Sequence, residues 1–375
     1  MKNKRFMSWF GTLLFLIIVI SGCTLGSRSE TIIIPSKKEE YSDDQGSQQF
    51  QVKTIYPLPE SFQLLGWSAP ESVIGLFGKN NKTDSTMLNL QRLNKPYEKP
   101  EMIQRIDVNM TFQELSPDGE NIFGITNSAQ GTSLKLISLP DGKEIEVASF
   151  SSSQQLYLQD SSWSNNSRYI CYLIIDATKG GQANVGIYDT DSGTLKTYWL
   201  KNFGTENSLM GVNISDDGRS LLLTMFRFNK SGRYNSIVMG TINDSDINIQ
   251  YEHQIGSEQN AWLNNDQFVF LGTDGTLYEY DSRNGELTVL LEKVDSFEFS
   301  QDRKNIAYSV YEKDTIFAGK FQGKNVLNEE SIYHGIIPEQ IHWSPDNNSL
   351  LIYGRKSAPV GTGHPDVQSY IITFQ

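Results

Sequence analysis

The chain has 375 residues, 38% of them hydrophobic and 20% charged, with 44 acids against 32 bases and a formal charge of −12. That length supports a substantial core in one large repeat domain or two ordinary ones, and the acidic balance argues against nucleic acid as a partner, because phosphate binding needs a basic surface. Two cysteines and four histidines leave no material for a disulfide framework, a cysteine-rich zinc module or a His-rich metal centre.

The first residues read as a sorting signal. Met1 to Arg5 carries three bases, and Phe6 to Ile20 is almost wholly apolar. The apolar run is about 15 residues, short of the roughly 20 that a spanning helix needs. Ile20-Ser21-Gly22-Cys23 ends it and resembles the bacterial lipobox: an aliphatic residue, two small residues, then cysteine. The resemblance implies that signal peptidase II recognises Ile20, Ser21 and Gly22. It also implies that the Cys23 thiol takes a diacylglyceryl group before cleavage exposes its amine. An ordinary signal peptide followed by a chance cysteine is the competing reading. Cleavage would remove three bases and no acids, leaving a mature charge of −15. Two or three acyl chains anchor stably where one does not. The expected address is therefore the extracytoplasmic face of the cell membrane, with the lipid bilayer as partner through acylated Cys23.

From Thr24 to about Gln49, polar residues dominate, as in Lys37-Lys38-Glu39-Glu40 and Ser42-Asp43-Asp44-Gln45-Gly46. This composition suits a flexible tether. The expected division is residues 1–22 signal peptide, 23–49 lipidated cysteine and tether, and 50–375 one domain.

That domain repeats itself. A large apolar residue, then Ser or Asn, a polar turn and a hydrophobic strand recur at Trp67, Leu115, Trp163, Ile214, Trp262, Phe299 and Trp343, at intervals of 48, 48, 51, 48, 37 and 44 residues. Proline presets the first turn position, Asp or Asn bonds the backbone, and Gly or Asn takes the left-handed conformation. After each central strand come two more, as in Val185–Asp189 and Leu287–Leu291. Four short strands per roughly 45 residues predict an all-β propeller of four-stranded blades. After Trp343 only two strands follow, Leu350–Tyr353 and Tyr370–Phe374, while Phe50–Tyr56 precedes the first repeat and alternates correctly to complete the last blade. Closure by the two chain ends is expected, because it removes open edges.

The phrase Leu115-Ser116-Pro117-Asp118-Gly119, nearly repeated at Trp343-Ser344-Pro345-Asp346-Asn347, resembles the WD40-like, TolB-like propeller repeat. With its lipobox the chain is similar to the YqgU-like propeller lipoproteins of bacilli. That resemblance implies six blades, whereas the repeats in this sequence count seven.

Local motifs for chemistry are few. Cys171 lies in the apolar run Tyr169–Leu173, where a free cysteine behaves as a small hydrophobe. Asp189-x-Asp191-x-Gly193 echoes a calcium loop without its further ligands. His334 and His342, with Glu339 between them, match no zinc spacing. Gly361-Thr362-Gly363-His364 is too short for a dinucleotide fingerprint, and no nucleophile elbow or metalloprotease helix motif occurs. No catalytic residue, metal ligand or cofactor follows. The longest connection between second and third strands runs Arg355–Gln368, and a comparable loop is expected over Arg227–Asn235. Arg227, Lys230, Arg233, Arg355, Lys356, His364 and Asp366 are thus candidates for a partner-binding rim opposite the Ser-Pro-Asp-Gly turns. The expected function is a binding or scaffold module for an envelope protein or polymer. A propeller enzyme, a lyase or hydrolase acting on glycans or small molecules, is the alternative.

Overall fold

The computed structural model describes residues 49–78, 86–154, 156–201, 208–229, 232–244, 246–311, 313–356 and 367–375. Cys23 and its flanking Ile20, Ser21 and Gly22, the tether, and Lys230, His364 and Asp366 lie outside the described residues.

The domain is a seven-bladed β-propeller: seven antiparallel sheets of four strands, with one short 3-10 helix, Ala177–Lys179, among the described residues. Numbered by repeat, the first strands of blades 1 to 7 are Ser61–Ala69, Met110–Leu115, Leu156–Trp163, Ser208–Ile214, Asn260–Trp262, Val294–Phe299 and Ile336–Trp343. Each runs into its anchor turn. The short interval of 37 residues belongs to blade 5, whose first strand has three residues and whose next two have five each. Seven blades, as the repeats count, and not six, is the observed ring.

The recurring serine explains the phrase. Ser116, Ser164, Ser215, Ser300 and Ser344 are almost fully buried. Each hydroxyl donates to the Asp or Asn two residues on, at 2.5–2.7 Å. Each also accepts the backbone N–H five residues on, at 2.9–3.0 Å. One side chain thereby closes the turn and joins two strands without leaving a buried polar group unpaired. In blade 5 Asn264 takes over, accepting from the backbone of Asp266 and Gln267.

The anchors face the gaps between blades. Seven apolar clusters fill the seven interfaces. Trp163 packs with Phe123 and Leu136 of blade 2, Trp262 with Leu222 and Met239 of blade 4, and Trp67 with Leu351 and Ile371 of blade 7. Burying such large side chains stabilises each interface by roughly 2–3 kcal/mol per residue.

The chain ends close the ring as the strand pattern implied. Val52–Pro57 pairs antiparallel with Val367–Phe374, with Ile55 opposite Ile372, and supplies the fourth strand of blade 7. Phe50 sets its ring against Trp343 and Phe374 at 6.1 and 5.6 Å. Two expectations need correction. The Arg355–Gln368 connection is shorter than expected, since Arg355 pairs with Val367 and Gly354 with Gln368. Arg227–Asn235 is no loop: strands Ser220–Asn229 and Gly232–Ile242 stay paired up to Asn229 opposite Gly232. The aromatic and polar alternation of Phe226-Arg227-Phe228 suits a strand, and Gly232 at φ 126° accommodates the reversal.

Candidate functional site

In every blade the anchor side chain turns into the interface, so the preceding residue turns the other way. Those seven residues are Gly66, Glu114, Ser162, Asn213, Ala261, Glu298 and His342. Six of the first strands carry a β-bulge two or four residues ahead of the anchor, which re-aims the side chains beside it. These residues lie on the innermost strands and turn toward the next blade, as Asn213 does toward Asn260 of blade 5, and five of the seven are polar.

Interactions that skip blades prove the convergence. Glu114 of blade 2 feels the charges of Asp160 in blade 3 and of Glu298 in blade 6, across the ring. At the anchor-turn end, the Asn165 amide of blade 3 donates to the Gln301 carbonyl of blade 6 at 3.0 Å. Arg303 of blade 6 (φ 59°) lies near Glu298, Asp302 and Asp216 of blade 4. Neighbouring turns are laced as well: the Asp118 N–H donates to Ser167, that of Asn166 to Asp216, and that of Asp217 to Asn265. The turns thus draw together across that end of the channel.

Higher in the channel, side chains staple blade to blade. The Gln63 amide donates to the Phe112 carbonyl, and Gln259 exchanges two bonds with the Phe297 backbone. Asp160 accepts the Val212 N–H at 2.8 Å. Gly211 permits that approach, since a Cβ there would stand 2.5 Å from Thr224 Oγ1 and 3.1 Å from Asp160 Oδ2.

The electrostatics are those of carboxyls removed from bulk water. Burial, reinforced by Asp160 and Glu298, raises Glu114 well above the ordinary carboxylate range. Burial pushes Glu298 up to about 7 against the attraction of Arg303. Asp160 is raised by burial and restrained by the Val212 and Ser161 backbone. Burial holds His342 down to about 4, so it is neutral at neutral pH. Oε2 of Glu114 and Nε of Arg303 are buried and have no hydrogen-bond partner.

The opposite face carries a different surface. First strands begin there, second strands end there and third strands begin there. Phe62 of blade 1, Tyr157 of blade 3, Phe228 of blade 4 and Tyr311 of blade 6 are exposed by 80%, 60%, 53% and 63%, joined by Ile337 and Val367 of blade 7. Five of the seven blades so contribute an exposed apolar side chain to this face.

Of the candidate rim residues, Arg227, Arg233, Arg355 and Lys356 are on this face. The structure does not bring the two groups side by side, because blades 4 and 7 lie on opposite sides of the ring. Arg227 pairs with Glu252 at 2.7 Å, Arg355 with Glu339 at 2.6 Å, and Arg233 stacks over Phe228 at 5.3 Å. Lys356 ends the strand Ser349–Lys356 and is exposed. Cys171 is fully buried beside Ser162, and burial pushes its thiol up to about 12. Asp189 and Asp191 share Arg168, as a solvated turn does. His334 is exposed and bonded to Thr315 and Ser331, away from His342. Sequence reading missed Glu114, Asp160 and Glu298 altogether, and Phe62, Tyr157 and Tyr311 with them. The available signal was the polar residue preceding the anchor in five of seven repeats.

No family model matches the chain, and no curated protein matches it by sequence. Its fold is similar to many solved structures. A chain of the mitotic checkpoint complex superposes with a TM-score of 0.54 at 12% identity, covering 94% of this chain and 100% of its own. Oligogalacturonate lyase from Vibrio parahaemolyticus gives 0.53 at 11% identity, covering 89% and 96%. The β-propeller domain of the Trilobed protease from Pyrococcus furiosus gives 0.52 at 11%, covering 85% and 94%. The last is described as having an open velcro topology, whereas here the terminal strands pair. At such identities the likeness establishes the propeller fold and nothing more.

Proposed function

We propose that the chain is a lipoprotein, anchored through acylated Cys23 at the extracytoplasmic face of the cell membrane, whose propeller is a binding module for an envelope protein or polymer. The anchor rests on Ile20-Ser21-Gly22-Cys23 and the basic, apolar segment before it. The observation that carries the binding role is the set of exposed apolar side chains around one channel mouth, led by Phe62, Tyr157 and Tyr311. Four of the six exposed apolar side chains on this face are aromatic, and aromatic residues are the usual energetic centres of interfaces. The ring beneath holds them rigidly, which lowers the entropic cost of binding.

One observation favours the enzyme reading, a lyase or hydrolase acting on glycans or small molecules. Glu298 has its carboxyl raised to about 7, the range of a general acid at neutral pH, and Glu114 lies near it. The two readings separate in one experiment. Full-length protein in detergent is challenged with solubilised envelope membranes and with a glycan array, alongside a Phe62→Ser, Tyr311→Ser variant. Rim-dependent retention without turnover supports the binding module. Glycan cleavage that survives the rim substitutions and stops in Glu298→Gln supports the enzyme. Retention equal in the variant and its parent would sink the rim as the binding surface.

A further inference from the structure

We propose that the channel mouth ringed by Phe62, Tyr157 and Tyr311 receives an extended peptide segment of a partner and draws one Arg or Lys side chain of it toward Glu114, Asp160 and Glu298. This deepens the binding-module reading and rests on it.

Charge complementarity selects the occupant. Among the described residues, the charges acting on Glu114 are those of Asp160 and Glu298, and the one acting on Asp160 is that of Glu258, all of one sign. The local guanidinium, Arg303, sits in the anchor turn and acts on Glu298. His342 remains neutral at neutral pH and offsets nothing. Glu114 Oε2 is buried with no donor, a state that costs about 1–3 kcal/mol until a donor arrives. A cationic side chain supplies the missing donor and, by opposing the effect of burial, favours the charged form of these carboxyls. Guanidinium matches carboxylates best, through its planar fork of donors.

Geometry selects the direction. The anchor-turn end is crossed by the bond from Asn165 to Gln301 and occupied by Arg303. Entry is therefore from the face that carries the apolar side chains. There the rings of Phe62, Tyr157 and Tyr311 can cover the aliphatic stem of the basic residue and the apolar residues flanking it, and an aromatic face also attracts a cation. A neutral glycan brings no charge that would favour ionisation of these carboxyls, and an acidic one would disfavour it. Among the described residues no group of three His, Cys, Asp or Glu is arranged to hold a metal ion.

The test is selection of a random heptapeptide display library on the full-length protein in detergent micelles. Recovered sequences should be enriched in one Arg or Lys flanked by apolar residues. Synthetic peptides of that set should bind at least tenfold more weakly to Glu114→Gln, Glu298→Gln protein. Changing the basic residue to Gln should cost the peptide a similar factor. Should the double variant fold poorly, carbodiimide labelling of the unaltered protein gives the same information: bound peptide should slow modification of Glu298, read by mass spectrometry. Recovery of apolar peptides without a base, lost in Phe62→Ser, would overturn the channel proposal and leave the binding module standing. Recovery of no peptide that depends on Phe62 would overturn both. Preference for free spermidine over every basic peptide would replace the peptide with a polyamine and refute the proposal.

Discussion

Glu298 shows what a channel position costs a side chain. Burial raises its carboxyl to about 7, opposed by Arg303, while the ordinary value is 4.5. Between those values the folded state holds more protons than the unfolded one, so stability falls as pH rises through the interval. Below about 4.5 no penalty exists; above about 7 it is complete, at roughly 3 kcal/mol with the Arg303 attraction already included. Glu298→Gln removes the ionisation and keeps the shape. It should therefore melt a few degrees higher than the parent at pH 8 and at the same temperature at pH 4.5. Calorimetry at the two values decides, and equal shifts at both would contradict the assignment. Maintaining this strained carboxyl, with Glu114 beside it, is intelligible if a ligand meets it there.

Strands and turns obey local rules, and local rules are what a single sequence exposes. The turn serines bond two and five residues away in sequence, so the repeat announces itself wherever the phrase recurs. Closure by Val52–Pro57 was legible for a similar reason: a one-strand deficit at one end met an alternating strand at the other. The hairpin at Arg227–Asn235 was misread because Asn229 and Gly232 look like loop residues, although the pairing runs up to them. The channel group was not legible. Glu114, Asp160 and Glu298 belong to three blades, and their proximity exists only once the ring closes. Deleting Phe50–Tyr56 should test that closure. It removes the strand paired with Val367–Phe374, together with the Phe50 ring packed on Trp343. Both edges of the ring are then open, and burial of several large side chains is lost, each worth roughly 2–3 kcal/mol. Deleting Thr24–Lys38, read as tether, should leave the melting temperature nearly unchanged. Equal thermal shifts for the two deletions would count against a ring held shut by its ends.

At the scale of the whole molecule, the proposed anchor and the proposed binding surface belong to separate parts of the chain. The propeller has its own core at all seven interfaces, from Phe50 to the last strand. Its fold therefore should not depend on the acyl group. Cys23→Ala separates the two. Without the thiol, no diacylglyceryl transfer occurs, so metabolic labelling with a palmitate analogue should fall to background. The protein should then persist as an uncleaved precursor or as a form shed from the membrane. Its melting temperature in detergent should match the parent, and so should its retention of any rim-dependent partner. Undiminished label on the variant would sink the lipobox reading. Lost label with lost retention would mean that the membrane itself contributes to recognition. On the proposed anchor, two acyl chains would confine the protein to a surface and raise the effective concentration of any partner held there. A rim of modest intrinsic affinity would suffice in that setting, in keeping with five scattered apolar contributors and not one continuous hydrophobic plate.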